Sequence, residues 1–213
     1  MIDSNFTQTL VQGFLVSGGL IVAIGAQNAY VLKQGLLKNH IFWVALVCFL
    51  CDFTLLSFGV LGFGTLISQS PLATMGLAIL GAVFLFVYGL RSLQSAIKGE
   101  SALNLDPQNQ RQNLSKTIGT TLALTLLNPH VYIDTVVIIG GVASTLTLDQ
   151  KYIFLLGAVM ASALWFFGLG FGARLLIPLF KKPITWRILD SVIALVMWAI
   201  AISLLSYAYS LMG

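Results

Sequence analysis

Thr125-Leu126-Leu127-Asn128-Pro129-His130-Val131-Tyr132-Ile133-Asp134 sits inside a long apolar stretch of the chain. Lipid offers no water to satisfy a broken backbone, so a break at membrane depth persists only where protein or a wet cavity covers it. An ionisable side chain at that depth marks function by default. The stretch therefore predicts an interrupted membrane helix with a solute site beside the interruption. Proline donates no amide, and its ring clashes with the carbonyl four residues back, here that of Thr125. It also pushes Asn128 out of helical geometry. Asparagine is a favoured N-cap and proline a favoured first helical residue, so the pair reads as one half-helix stopping and another starting. The new half-helix would offer unpaired amides and a positive dipole end to a carboxylate. The freed carbonyl would suit an ammonium. A simple proline kink is the plainer reading of the same residues.

The surroundings agree with membrane depth. The chain is 58% hydrophobic and only 8% charged, with a mean hydropathy of +0.94. A soluble domain carries roughly 25% charged residues, so the composition calls for an all-α membrane protein. A spanning helix needs about 20 apolar residues. Six segments qualify: Leu10–Leu32, Ile41–Ile67, Leu72–Leu90, Ile118–Gly140, Tyr152–Ile177 and Ile188–Tyr209. The polar stretch Arg91–Thr117 reads as the one long loop. The first nine residues contain no Lys or Arg, so the first apolar segment reads as a retained helix and not as a cleavable signal. The whole chain, 1–213, is expected to form a single transmembrane domain.

Nine of the basic residues (Lys33, Lys38, Arg91, Lys98, Arg111, Lys116, Lys181, Lys182 and Arg187) fall in odd-numbered loops, and only Lys151 falls opposite. By the positive-inside rule both termini are then outside. Arg174 near the end of span five would snorkel to the cytoplasmic interface. A net charge of +4 confined to loops gives no nucleic-acid surface.

Phe58-Gly59-Val60-Leu61-Gly62-Phe63-Gly64 ends span two, and Phe167-Gly168-Leu169-Gly170-Phe171-Gly172 ends span five. Tyr30 and Tyr132 hold similar places in spans one and four. These matches predict two three-helix repeats, about 10–90 and 118–209, inverted because three spans reverse the entry side. Span four is interrupted, and span one is a candidate for the same. Secondary transporters place substrate at the midplane of such repeats. Chance matching of Gly/Phe strings is the competing account.

Asp52 is the most telling carboxylate. It stands eleven residues into span two, about 16 Å deep at 1.5 Å per residue. A bare charge there costs about 3 kcal/mol on insertion scales, so it must be protonated, paired with Arg174 or a Thr, or holding a cation. His130 and Asp134, four apart, share a helical face. They suit either a proton relay or a satisfied structural pair. Gln27 and Asn28 could bind a polar solute or join helices. Tyr30, Tyr132, Trp165 and Trp198 could stack on a cationic head, though packing and interface anchoring are the commoner explanations. Asp190, near a helix start, reads as an interfacial acid. Cys48-Phe49-Leu50-Cys51 has redox-carrier spacing but no companion motif, and reads as two buried thiols.

Gly25-Ala26-Gln27-Asn28-Ala29-Tyr30-Val31-Leu32-Lys33-Gln34-Gly35 and Leu127-Asn128-Pro129-His130-Val131-Tyr132-Ile133-Asp134-Thr135 resemble the two signature stretches of the lysine exporter (LysE) family, closest to its arginine/lysine exporter branch. Cys51-Asp52, Leu164-Trp165-Phe166-Phe167-Gly168 and Val196-Met197-Trp198 extend the resemblance along the chain. Where the family usually has proline, this chain has Ala26. The resemblance implies a multi-pass bacterial inner-membrane exporter of L-arginine or L-lysine, not an enzyme, driven by the proton or potential gradient. It implies roles for Gln27, Asn28, Asp52, Asn128, Pro129, His130 and Asp134. No cofactor or resident metal is called for. The partners are the basic amino acid, protons and lipid, with homo-oligomerisation open. Two other functions fit the residues. One is export of a neutral amino acid or of a divalent metal held by Cys48, Cys51, Asp52, His130 and Asp134. The other is thiol-redox transfer.

Overall fold

A computed structural model describes residues 4–22, 25–62, 71–98 and 113–210. The described residues are helical apart from short links and caps. In chain order they form α1 (Ser4–Ile21), α2 (Ala26–Leu36), α3 (Ile41–Leu61), α4 (Pro71–Lys98) and α5 (Leu114–Leu126). Then come the short α6 (Pro129–Tyr132), a π-helix (Ile133–Ile139), α7 (Gly140–Ser144), α8 (Leu148–Gly172), a 3-10 helix (Ala173–Lys181) and α9 (Pro183–Ser210).

Among the described residues, four helical stretches are long and apolar enough to cross a membrane: Ile41–Leu61, Ala78–Lys98, Leu148–Phe180 and Pro183–Ser210. The pair α1 and α2, bent by 83°, makes a fifth if taken together as one broken span. The fourth apolar segment is not one helix: α5 stops at Leu126, Leu127 forms a turn, and helix resumes at Pro129. The interruption in span four falls where the Asn-Pro pair predicts it. Span one, expected as Leu10–Leu32, is divided between Ile21 and Ala26. Two boundaries differ from expectation. Helix α4 runs on to Lys98 and α5 begins at Leu114, so both ends of the expected loop Arg91–Thr117 are helical. Apolarity ends at Leu90, but Arg91, Gln94 and Lys98 are good helix formers, so the helix continues past the apolar run.

Local chemistry sets the ends. Asn113 caps α5 by accepting from the Ser115 amide at 3.0 Å. A Thr147/Gln150 capping box starts α8, with the Thr147 amide donating to Gln150 Oε1 at 3.0 Å. Gly62 closes α3 at φ 88°, a conformation that favours glycine.

Helix α1 lies along α8 with the two N-termini at the same end: Gly13 meets Phe154, and Gly18 meets Ala161. Farther along the same direction Gly35 of α2 meets Gly170. Small residues of this kind let membrane helices approach closely. A Cβ on Gly157 would overlap the Leu10 carbonyl, whereas one on Gly168 meets nothing. Gly157→Val is therefore expected to cost about 3 kcal/mol, the upper end for overpacking. Gly168→Val should cost nothing measurable, since the space is open and valine is the better helix former. Thermal unfolding of the solubilised protein compares the two. Helix α4 runs antiparallel to α9, with Gly81 near Leu204 and Gly89 near Trp198. Helix α3 is central, touching α8, α5, α2 and the π-helix.

Candidate functional site

Both interruptions are repaired in the same way. At the first, the Asn28 side-chain amide donates to the carbonyl of Ile21, the last residue of α1, at 2.7 Å. At the second, the Tyr132 hydroxyl donates to the carbonyl of Leu126, the last residue of α5, at 2.8 Å. A helix end leaves such carbonyls without intrahelical partners. In each case a side chain from the following half-helix supplies one. Asn28 also accepts from Trp165 Nε1 at 3.1 Å, fixing the joint to α8. Asn28 and Trp165 thus form part of the structural joint, although Asn28 also faces the cavity described next. Tyr132 is likewise engaged with backbone.

The two breaks open onto one cavity of about 240 Å³. Its polar wall comprises Ser17, Gln27, Asn28, Asp52, Asn128, Asp134 and Thr135. Apolar residues, among them Leu20, Leu56, Ile139 and Phe166, complete it. At about 30 Å³ per water the space corresponds to roughly eight waters, the scale of a single small solute.

Asp52 is 8% exposed. Its Oδ2 accepts from the Ser162 hydroxyl at 2.8 Å; among the described residues no ion pair to Arg174 forms. Arg174 is exposed, with its guanidinium 5.0 Å from the Phe171 ring centroid. Asp134 belongs to the π-helix, whose wider turn recurs at functional sites. Thr135 donates to the Val131 carbonyl at 2.7 Å within this segment. The structure therefore brings Gln27, Asn28, Asp52, Asn128 and Asp134 together. The backbone of Pro129 and His130 begins the second half-helix, while the side chains of both lie outside the described set, and the expected His130–Asp134 pairing with them.

Tyr30 does not line the cavity. It is buried against Tyr88 in an edge-on contact, centroids 6.0 Å apart, with its hydroxyl 3.5 Å from the Thr117 carbonyl. Thr117, Thr121 and Thr125 form a buried row on α5, the latter two bonded to carbonyls one turn back. Their i, i+4 spacing was a legible signal. Beyond them lies a further network. Lys33 of α2 is paired with Asp190 Oδ1, and the Ser95 hydroxyl donates to Asp190 Oδ2 at 2.7 Å. Asp190 is 0% exposed. The expectation of an interfacial acid is thus corrected, because its partner comes from 157 residues away in sequence. At the other end, Leu56, Val60, Ile139, Ala143, Phe154 and Ala158 form an apolar plug.

Both cysteines are free; Cys48 is buried and Cys51 half-buried. Redox exchange needs two accessible thiols, which this arrangement does not offer. Among the described residues no group of three His, Cys, Asp or Glu side chains is placed to hold a metal.

The model of the LysE type translocator family matches residues 19–208. The Arginine exporter protein ArgO of Salmonella enteritidis is 39% identical over 197 residues, covering 91% of each chain. ArgO of Serratia proteamaculans is 38% identical, covering 91% of this chain and 94% of its own. A protein of Aeromonas salmonicida named "Putative amino-acid transporter YggA" is 38% identical over 203 residues, covering 94% of this chain and 97% of its own. No solved structure matches the chain.

Proposed function

The chain belongs to the LysE type translocator family, and on that premise we propose that it exports basic amino acids, L-arginine or L-lysine, in exchange for protons across a bacterial inner membrane. The coarser statement stands without the proposal: this is a multi-pass membrane transporter of an amino-acid exporter family, not an enzyme.

One observation carries the finer reading. Asp52 and Asp134 line the same small cavity, on α3 and on the interrupted segment. A basic amino acid brings two cationic groups and one carboxylate, so two acids suit it better than they suit a neutral amino acid with one cationic group. Moving a cation outward against an inside-negative potential costs about 2.3 kcal/mol per 100 mV. Taking in a proton for each cation expelled cancels that electrical cost. In this scheme Asp52 holds the cation or a proton, never both. Asn128 contributes a polar contact at the break set by Pro129, and His130 with Asp134 passes protons inward from the outer side.

Six crossings in two inverted repeats make up the architecture we propose. The parallel run of α1 and α8 supports it, since three crossings between them restore direction. So does the shared repair of the two breaks. The excess of basic residues in odd loops argues for both termini outside.

Reconstituted vesicles with an imposed pH gradient test the function. Labelled arginine or lysine should accumulate against its own gradient, and collapsing the pH difference should slow it by about tenfold or more, the factor expected when roughly 1.4 kcal/mol of driving force is lost. Movement of threonine alone would overturn the basic-substrate reading.

A further inference from the structure

We propose that the carboxylate of the transported amino acid is received at the start of α2, by the Ser17 hydroxyl and the Gln27 side-chain amide, and not at the Asn128 break. This deepens the reading of the cavity as the substrate site and depends on it.

Among the described residues, three buried side-chain polar atoms have no hydrogen-bond partner: Ser17 Oγ, Gln27 Nε2 and Thr117 Oγ1. Two of the three, on Ser17 and Gln27, belong to residues that line the cavity. Ser17 is 0% exposed. A buried polar atom left unpaired is destabilising, so such atoms in a native fold call for an explanation, often an unseen ligand or water. The chemistry of the pair identifies the ligand. An amide nitrogen only donates, and a serine hydroxyl can donate. Two donors without acceptors call for an anion or a carbonyl. The Gln27 amide also approaches the Cys48 thiol, a weak acceptor that a carboxylate would displace.

The backbone adds to them. Helix α2 has 11 residues and begins beside the cavity at Gly25, whose extended backbone makes no side-chain cap. The first amides of a helix lack intrahelical partners, and its N-terminus carries partial positive charge. A carboxylate there needs no lysine or arginine, so it is held without being trapped. The second break is less suited. The α-helical turn after Asn128 is only four residues long before it widens into the π-helix.

The cavity is thereby polarised. Donors cluster on α1 and α2, while the carboxylates Asp52 and Asp134 lie on α3 and the π-helix. A cationic amino acid fits in one direction, its carboxylate toward Gln27 and its cationic groups toward the two acids.

Competition in reconstituted vesicles tests the assignment, using L-arginine against agmatine and L-lysine against cadaverine, each pair differing by the carboxylate. The parent protein should prefer the amino acid. Ser17→Ala and Gln27→Leu should each weaken the amino acid about tenfold, the effect of one hydrogen bond to a charged group, and leave the amine unchanged. Gln27→Glu should invert the preference. Since Ser17→Ala removes an unpaired polar atom, the thermal midpoint should not fall. Equal weakening of acid and amine, no weakening of either, or a lowered midpoint for Ser17→Ala would overturn the proposal. If the parent moves threonine and ignores arginine and lysine, the basic-substrate reading fails. Threonine against its decarboxylated amine then reads the carboxylate subsite by itself.

Discussion

Asp52→Asn should reduce basic amino-acid efflux by at least about a hundredfold. Asparagine keeps the shape of the side chain and can still accept from Ser162, which lies 2.8 Å away, so the fold should survive. What disappears is the charge. A cation about 4 Å from a carboxylate gains roughly 4 kcal/mol at an effective dielectric near 20. At about 1.4 kcal/mol per decade, that is between two and three orders of magnitude. Ser162→Ala removes one hydrogen bond and keeps the charge, so about three- to tenfold is expected. Initial efflux rates from loaded vesicles, normalised to protein in the membrane, compare the two. Efflux by Asp52→Asn within threefold of the parent would remove this residue from the cation's path.

The largest stability effect should come from the Lys33–Asp190–Ser95 network. Lys33→Ala leaves a carboxylate at 0% exposure without the cation that is paired with it. Removing one partner of a buried pair typically costs about 3–5 kcal/mol. For a chain of this size that lowers the thermal midpoint by roughly 10 °C. Asp190→Ala should do the same, by stranding the lysine. The double variant Lys33→Met with Asp190→Leu should recover most of the loss, since apolar residues of similar volume replace buried ion pairs well. The Lys33→Ala/Asp190→Ala double variant, set beside the two single alanine variants and the parent, closes a thermodynamic cycle that measures the coupling. A midpoint for Lys33→Ala within about 2 °C of the parent would show that the pair contributes little.

The fold was legible in the sequence where one residue type has a single physical consequence. Proline at 129 cannot continue a helix, and the chain breaks there. The first break was less visible, because Ala26 exerts no such force and Gly25 merely permits an extended turn. Asp52 stood out because an acid surrounded by leucine and phenylalanine has few ways to exist. Asp190 was misplaced for the opposite reason: its position near a helix start suggested a local role, while its real partner sits on another helix. Ser17 and Ser162 gave no signal at all. A serine in an apolar helix usually bonds its own backbone, and only the assembled packing distinguishes those that do not.

The repaired breaks have an electrical consequence. Had the carbonyls of Ile21 and Leu126 been left open, each would have drawn water into the break beside it. Asn28 and Tyr132 occupy those lone pairs with neutral donors that neither gain nor lose a proton at physiological pH. Each divided helix is thereby less open to water at its break, and to any ion that water would carry.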